Sequence, residues 1–285
     1  MSLIKTVNLF KTNNSYLTNH DLLKALLDLR VNEADILYIH SALNFGAPNK
    51  DLKKQDILEC ITEVLQELGV DTLLLPTYTF SFCNNEIFNV DETKTPMGIL
   101  NEYLRVNLRS TRSCDPLMSN ILIGKNLELV NCVGKNSVGL NSTFDLLAKS
   151  NKTVKFLFMG PRIGDCFTYM HYIEAEQKVP YRYYRDFPGK IASSGQIFDD
   201  TFSLFVRYDN VKAGGGSYVY ENILNEKKIS NSIQFGDSKV TVVEKNVAHS
   251  VYLDLLNLSP SFFIDEPFDI NKNSKNFNFR KMIAL

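Results

Sequence analysis

The chain has 285 residues, 44% of them hydrophobic, a net charge of −1 and no tryptophan. That length suits a single α/β domain with an elaboration, and the apolar fraction supports a large core. The balanced charge favours neither nucleic acid nor an anionic membrane. No run of 18 apolar residues offers a transmembrane helix, and the stretch Met1–Phe10 lacks the apolar centre of a signal peptide. Five cysteines (Cys60, Cys83, Cys114, Cys132 and Cys166) are odd in number, widely spaced and without a CxxC. A disulfide framework or structural zinc site is therefore not expected, and a reducing cytoplasm is.

In chain order, Thr18-Asn-His-Asp21 reads as a helix start, followed by Leu22, Leu23, Leu26, Leu27 and Leu29 at helical spacing. Asp35–His40 is a buried strand and Ser41–Asp51 a loop. A long amphipathic helix carries Ile57, Leu58, Ile61, Val64, Leu65 and Leu68 on one stripe and stops at Gly69. Asp71–Pro76 is a second apolar strand, and 77–96 a long loop of the kind that lines sites. A helix is predicted over 98–108, with Ile99, Leu100, Tyr103 and Leu104 inward. Asn120–Gly124 is a short strand. Ser142 caps a helix to Lys149, with Asp145 at the third position. An apolar strand over 155–159 then leads through Gly160-Pro161 to a helix over 166–177. This β-α alternation predicts a central mixed or parallel sheet flanked by helices.

Beyond Pro180 the texture changes. Tyr181–Pro188 is aromatic and charged, 196–208 alternates as a strand, and Gly214-Gly-Gly216 reads as a sharp turn. A hairpin is expected over 232–244 around Gly236-Asp237. Residues 181–245 are thus expected to form a β-rich elaboration within one domain spanning 1–285.

The segment 165–175 holds His171, one of four histidines, with Glu174 one helical turn further on. A strand end that launches a helix bearing a histidine and a carboxylate suits proton transfer, although such pairs also occur as plain surface pairs. Other chemistries fit worse. Neither GxGxxG, a Walker pattern nor a GxSxG elbow occurs, and Gly214-Gly-Gly216 lacks a strand-before, helix-after setting. His20, His40, His171 and His249 show no ligand spacing, so no metal is expected. Cys166 stands near the expected helix start. Within one helix it would point roughly 140° away from His171, which disfavours a thiol–imidazole dyad. If the strong strands run parallel, their ends bring His40, Ser41, Thr77, Tyr78 and the 160–171 segment together.

Six ordered motifs give a more specific reading: Tyr38-Ile-His-Ser-Ala-Leu43, Leu74-Leu-Pro-Thr-Tyr-Thr79, Thr95-Pro-Met-Gly-Ile-Leu100, Arg112-Ser-Cys-Asp-Pro116, Gly139-Leu-Asn-Ser-Thr-Phe144 and Thr168-Tyr-Met-His-Tyr-Ile-Glu174. With these the chain resembles the aminoglycoside 3-N-acetyltransferase (antibiotic N-acetyltransferase) family from about Asn19 to Glu176. The resemblance implies acetyl transfer from acetyl-coenzyme A to a sugar amine, with His171 as general base and Glu174 orienting it. It places His40, Ser41, Ala42, Thr77, Thr79, Arg112 and Ser113 on the coenzyme side. The tetrahedral oxyanion needs a donor, for which a backbone N–H or hydroxyl near Ser41 or Thr79 is available. On the acceptor side we expect Tyr78, Asp115, Asp165, Thr168, Tyr181, Arg182 and Tyr184. A homodimer is a family-level expectation.

Two family histidines are replaced here, by Asp115 and Met118. The stretch after the last motif also carries Arg182 and Arg185 among tyrosines instead of the carboxylates that polycationic antibiotics favour. Tyrosine stacks on sugars or bases and arginine pairs with phosphate. The sequence therefore points to a nucleotide-linked amino sugar as acceptor, used in surface polysaccharide or glycan synthesis. An aminoglycoside is the alternative, and a non-catalytic sugar-binding module on the same fold a further one.

Overall fold

A computed structural model describes residues 5–13, 15–277 and 279. Residues 1–4 of the N-terminal stretch read for a signal peptide lie outside them. A seven-stranded mixed sheet forms the centre, in the order Asn231–Phe235, Ser238–Glu244, Val154–Met159, Ile36–Ser41, Thr72–Pro76, Asn120–Gly124, Thr111–Arg112. Its middle three strands, led by Val154, Ile36 and Thr72, run parallel, and the flanking pairs are antiparallel. Ile36–His40 and Thr72–Pro76 are buried along their length, as strands covered on both faces must be.

Strand alternation sorts the core into two layers. Leu37, Ile39, Leu73, Leu75 and Leu157 face one cluster, packed under the helices Asn19–Asp28, Lys54–Glu67 and Ile99–Asn107. Tyr38, Leu74, Phe156 and Phe158 face the other. There they meet the helices Thr143–Lys149, Met170–Glu176, Gly216–Glu226 and Lys245–Leu258, together with a long hairpin, Arg182–Ser193 and Gln196–Arg207. This second layer builds the site. Among the described residues no helix is long and apolar enough to cross a membrane.

Several expectations change. The helix expected over 166–177 is two helices, Ile163–Cys166 and Met170–Glu176, broken at Phe167–Tyr169. From Arg182 onward, the Tyr181–Pro188 stretch belongs to a 12-residue strand, Arg182–Ser193, paired residue by residue with its neighbour. The hairpin expected over 232–244 forms, but its second strand joins the central sheet beside Val154–Met159. The β-rich stretch also contains the helix Gly216–Glu226, so the glycine run does precede a helix. Gly214 and Gly216 are needed because the chain passes close by: a Cβ on Gly216 would lie 2.4 Å from the Phe262 carbonyl oxygen. Ile99, expected inward, is 45% exposed at the first position of its helix, whereas Leu100 and Leu104 are buried.

Candidate active site

The parallel strands end side by side at Ser41, Pro76 and Met159, as the sequence pattern required. From Met159 the chain turns through Gly160, whose φ of +103° and close approach to the Asn44 side chain exclude any larger residue. The short helix Ile163–Cys166 follows, and its early end turns the next helix so that His171 and Glu174 face inward beneath the hairpin.

Glu174 is buried and fully engaged. Its Oε2 lies 2.8 Å from His171 Nδ1 and 2.9 Å from Arg182 Nε, the latter an ion pair whose angle falls short of a hydrogen bond. Its Oε1 accepts from the hydroxyl of Tyr181 at 2.7 Å and of Tyr252 at 3.4 Å. Burial alone would raise the carboxyl's pKa, but the Arg182 and His171 contacts outweigh it and hold the group down to about 2. Glu174 is therefore a fixed anion.

That anion sets the imidazole. Arg182 Nη2 approaches the same Nδ1 at 3.2 Å. An arginine nitrogen only donates and a carboxylate only accepts, so Nδ1 cannot bond to both. The shorter contact assigns Nδ1–H as donor to Glu174, which leaves Nε2 with the free lone pair. Burial lowers the His171 pKa below 6.5, and the adjacent Arg182 charge lowers it further against the opposing pull of Glu174. The ring is a neutral base near neutral pH.

His171 lines a cavity of about 290 Å³ bounded by Tyr78, Thr168, Asp165, Arg182, Arg207 and apolar side chains from the hairpin. Thr168 enters it with a defined polarity. Asn120 Nδ2 donates to the Met118 carbonyl, so its Oδ1 faces Tyr38 and accepts that hydroxyl proton at 2.7 Å. Tyr78 must then donate to Tyr38, at 2.7 Å, and Thr168 to Tyr78, at 2.9 Å. The Thr168 oxygen is left as an acceptor beside His171, suited to an incoming N–H.

The remaining expected residues divide by accessibility. Ala42 is exposed and Ser41 and Thr79 half-buried; Ser41 Oγ donates to Asn101 Oδ1 and Thr79 Oγ1 to the Pro116 carbonyl. Thr77, Ser113 and Asp115 are interior: Thr77 bonds to Ser119, Ser113 caps the Asn120 N–H, and Asp115 accepts from Leu117, Met118 and Ser137. Arg112 donates to the carbonyls of Val90, Thr93 and Thr77 and stacks over Phe88, so its donors pin the 77–96 loop. His40 is buried against Phe158 with Nε2 unbonded, and burial pushes its pKa down to about 3.

Tyr181 sits beneath Glu174, and exposed Tyr184 packs on Phe205. Arg185 is held by the Phe277 carbonyl, so neither it nor Arg182 is free in the way the sequence suggested. Asp165 accepts from Tyr218 at the cavity mouth. Cys166 lies on a separate helix from His171, and burial raises its thiol pKa far from nucleophilic range. Arg207 and Tyr252, both at the site, had escaped the sequence reading. No motif marks them, and they arrive through strand register and helix packing.

A buried carboxylate and a neutral histidine with its free nitrogen beside a cavity, on a mixed α/β frame, make a candidate site for proton transfer. The aminoglycoside 3-N-acetyltransferase family model matches residues 39–256, and the chain belongs to that family of acetyl-coenzyme A-dependent N-acetyltransferases. Among solved structures the fold is similar to AAC-IIIb in binary complex with CoASH: TM-score 0.72, 15% identity, 85% of this chain and 97% of that one covered. It is similar to the YokD protein of Bacillus subtilis, with TM-score 0.70 and 14% identity over 90% and 96% of the two chains. AAC-VIa bound to sisomicin gives TM-score 0.70 and 18% identity over 84% and 97%. No curated protein matches in sequence.

Proposed function

We propose that this chain moves an acetyl group from acetyl-coenzyme A to the amine of an amino sugar, with His171 as general base and Glu174 fixing its tautomer. The observation that carries this is the Nδ1–H donation to Glu174, which leaves Nε2 free on the cavity. An ammonium cannot attack a thioester. The acceptor therefore reacts as the neutral amine, its extra proton given up to solvent; as the nitrogen lone pair adds to the carbonyl carbon, placing negative charge on its oxygen, His171 Nε2 takes one N–H proton. Collapse breaks the carbon–sulfur bond, and the imidazolium returns the proton to the leaving thiolate. Glu174 stabilises that imidazolium, and Thr168 accepts from the amine. Ser41, Ala42 and Thr79 are the expected coenzyme residues that reach the surface, and they would hold the donor more directly than Arg112 or Thr77.

The neighbours described with CoASH and with sisomicin support this donor and an amino-sugar acceptor. The family description supports an aminoglycoside in particular. The nucleotide-linked sugar is a second reading, favoured by the two arginines on the cavity. Mass spectrometry after incubation with acetyl-coenzyme A and a panel of gentamicin, sisomicin and a uridine diphosphate-linked amino sugar tests the function. Gain of one acetyl group on an amine is expected, and no acetylated amine anywhere in the panel would contradict it. A homodimer and a cytoplasmic location belong to the same proposal; a monomer in sedimentation at working concentration would remove the first.

A further inference from the structure

The geometry points to Arg207 as an anchor for an anionic group on the acceptor, beside the amine that His171 deprotonates. This rests on the acetyl-transfer reading above. In the hairpin Arg207 pairs directly with Arg182 across antiparallel strands, and both line the cavity. Like charges set opposite one another repel unless something neutralises them. Arg182 is neutralised: it pairs with Glu174 and donates to the Phe205 carbonyl. Arg207 has no hydrogen bond or ion pair among the described residues, although it is partly buried.

The carboxylates nearby are already committed, and the pull of Glu174 on Arg207 does not offset burial and the Arg182 charge. Both oxygens of Glu174 are engaged, by His171 and Arg182 on one side and by Tyr181 and Tyr252 on the other. Asp165 stands exposed at the mouth and is taken by Tyr218. The cavity that Arg207 lines is largely apolar on the hairpin side, with Phe80, Met118, Val138, Leu204 and Val206 in its lining, which cannot solvate a cation. Burial and the neighbouring Arg182 depress the Arg207 pKa against the opposing pull of Glu174.

A guanidinium on an apolar wall offers a planar fork that fits carboxylate or phosphate. The coenzyme does not meet that need beside His171, because the pantetheine arm separates its diphosphate from the thioester. The anion therefore belongs to the acceptor: an amino sugar bearing a phosphate or a carboxylate near the reacting amine. A polycationic acceptor would meet this guanidinium with like charge.

Calorimetric binding to the whole chain decides it, with glucosamine, glucosamine 6-phosphate and a uronic-acid amino sugar as probes, on wild type, Arg207→Gln and Arg207→Lys. Wild type is expected to bind one anionic sugar roughly tenfold or more tighter than glucosamine. Arg207→Gln should lose that preference and Arg207→Lys keep part of it, which separates lost charge from misfolding. Whichever anionic sugar is preferred tells phosphate from carboxylate. In turnover, the ratio of kcat/KM for the anionic over the neutral sugar should fall by a similar factor in Arg207→Gln. Equal affinities in wild type, a preference that survives in Arg207→Gln, or an equal loss of rate on both sugars would overturn the assignment; the last would put Arg207 on the oxyanion. Anion preference without any acetyl transfer would instead sink the acetyltransferase reading and leave the anion site standing.

Discussion

Glu174 holds the Arg182 cation, the neutral His171 ring and two hydroxyls in the interior, and this one carboxylate makes His171 a directed base. Glu174→Gln keeps the shape, removes the charge and leaves Arg182 buried without its partner. Breaking one side of a buried pair costs about 3–5 kcal/mol, so both the melting temperature and kcat should fall; an unchanged melting temperature would show the pair to be solvated. The lowered His171 pKa fixes the pH profile. The active form is the neutral ring, so kcat/KM should rise with pH along a limb centred below 6.5 and level off above it. A limb centred above 6.5 would contradict the pressure that Arg182 puts on Nδ1. Stability falls on the same side. Glu174 titrates at about 2 when folded against 4.5 when free, so its contribution is complete above 4.5 and is lost as pH drops toward 2. The His171–Glu174 pairing was legible from a three-residue spacing. The Arg182 and Arg207 arrangement was not, because it depends on which residues of two distant strands come opposite one another.

At the scale of elements, periodicity and caps were the readable signals. Thr18 and Asp21 form the reciprocal cap that their spacing announced, and Ser142 accepts from the Asp145 N–H at 3.2 Å. Ser142→Ala should therefore lower stability by about 1 kcal/mol, measured by urea unfolding; no change would mean the cap is replaced by water. The break at Phe167–Tyr169 was not readable. Phe167 and Tyr169 are helix-compatible residues, and both instead go into the aromatic core around Phe156, a tertiary demand that local propensity does not contain. The strand through Tyr181–Pro188 was obscured for a related reason. Tyr183 and Phe187 are buried, but Tyr184, Arg185 and Asp186 between them all face solvent, which breaks simple alternation. Gly216 shows the same limit: its need is set by Phe262, 46 residues away in sequence (262 − 216). Gly216→Ala should cost about 1–3 kcal/mol through overpacking.

For the whole molecule, the parallel centre and its flanking helices followed from the β-α alternation, whereas the wrap of the hairpin and C-terminal helix over the site rests on long-range contacts. Both core layers share one sheet, with Leu73 and Leu75 facing one and Leu74 the other. Neither layer can melt without exposing the sheet between them. A single unfolding transition is expected, coincident by far-ultraviolet circular dichroism and by tyrosine fluorescence; two separated transitions would divide the chain into independent units. The central claim is that this fold presents His171 Nε2 to an acceptor amine. The most direct test is the rate of coenzyme A thiol release from acetyl-coenzyme A in the presence of an amino sugar that the wild type acetylates, wild type against His171→Ala. The variant should lose ~10²–10⁴-fold in kcat with its fold intact. A folded His171→Ala that turns over at the wild-type rate would contradict the account.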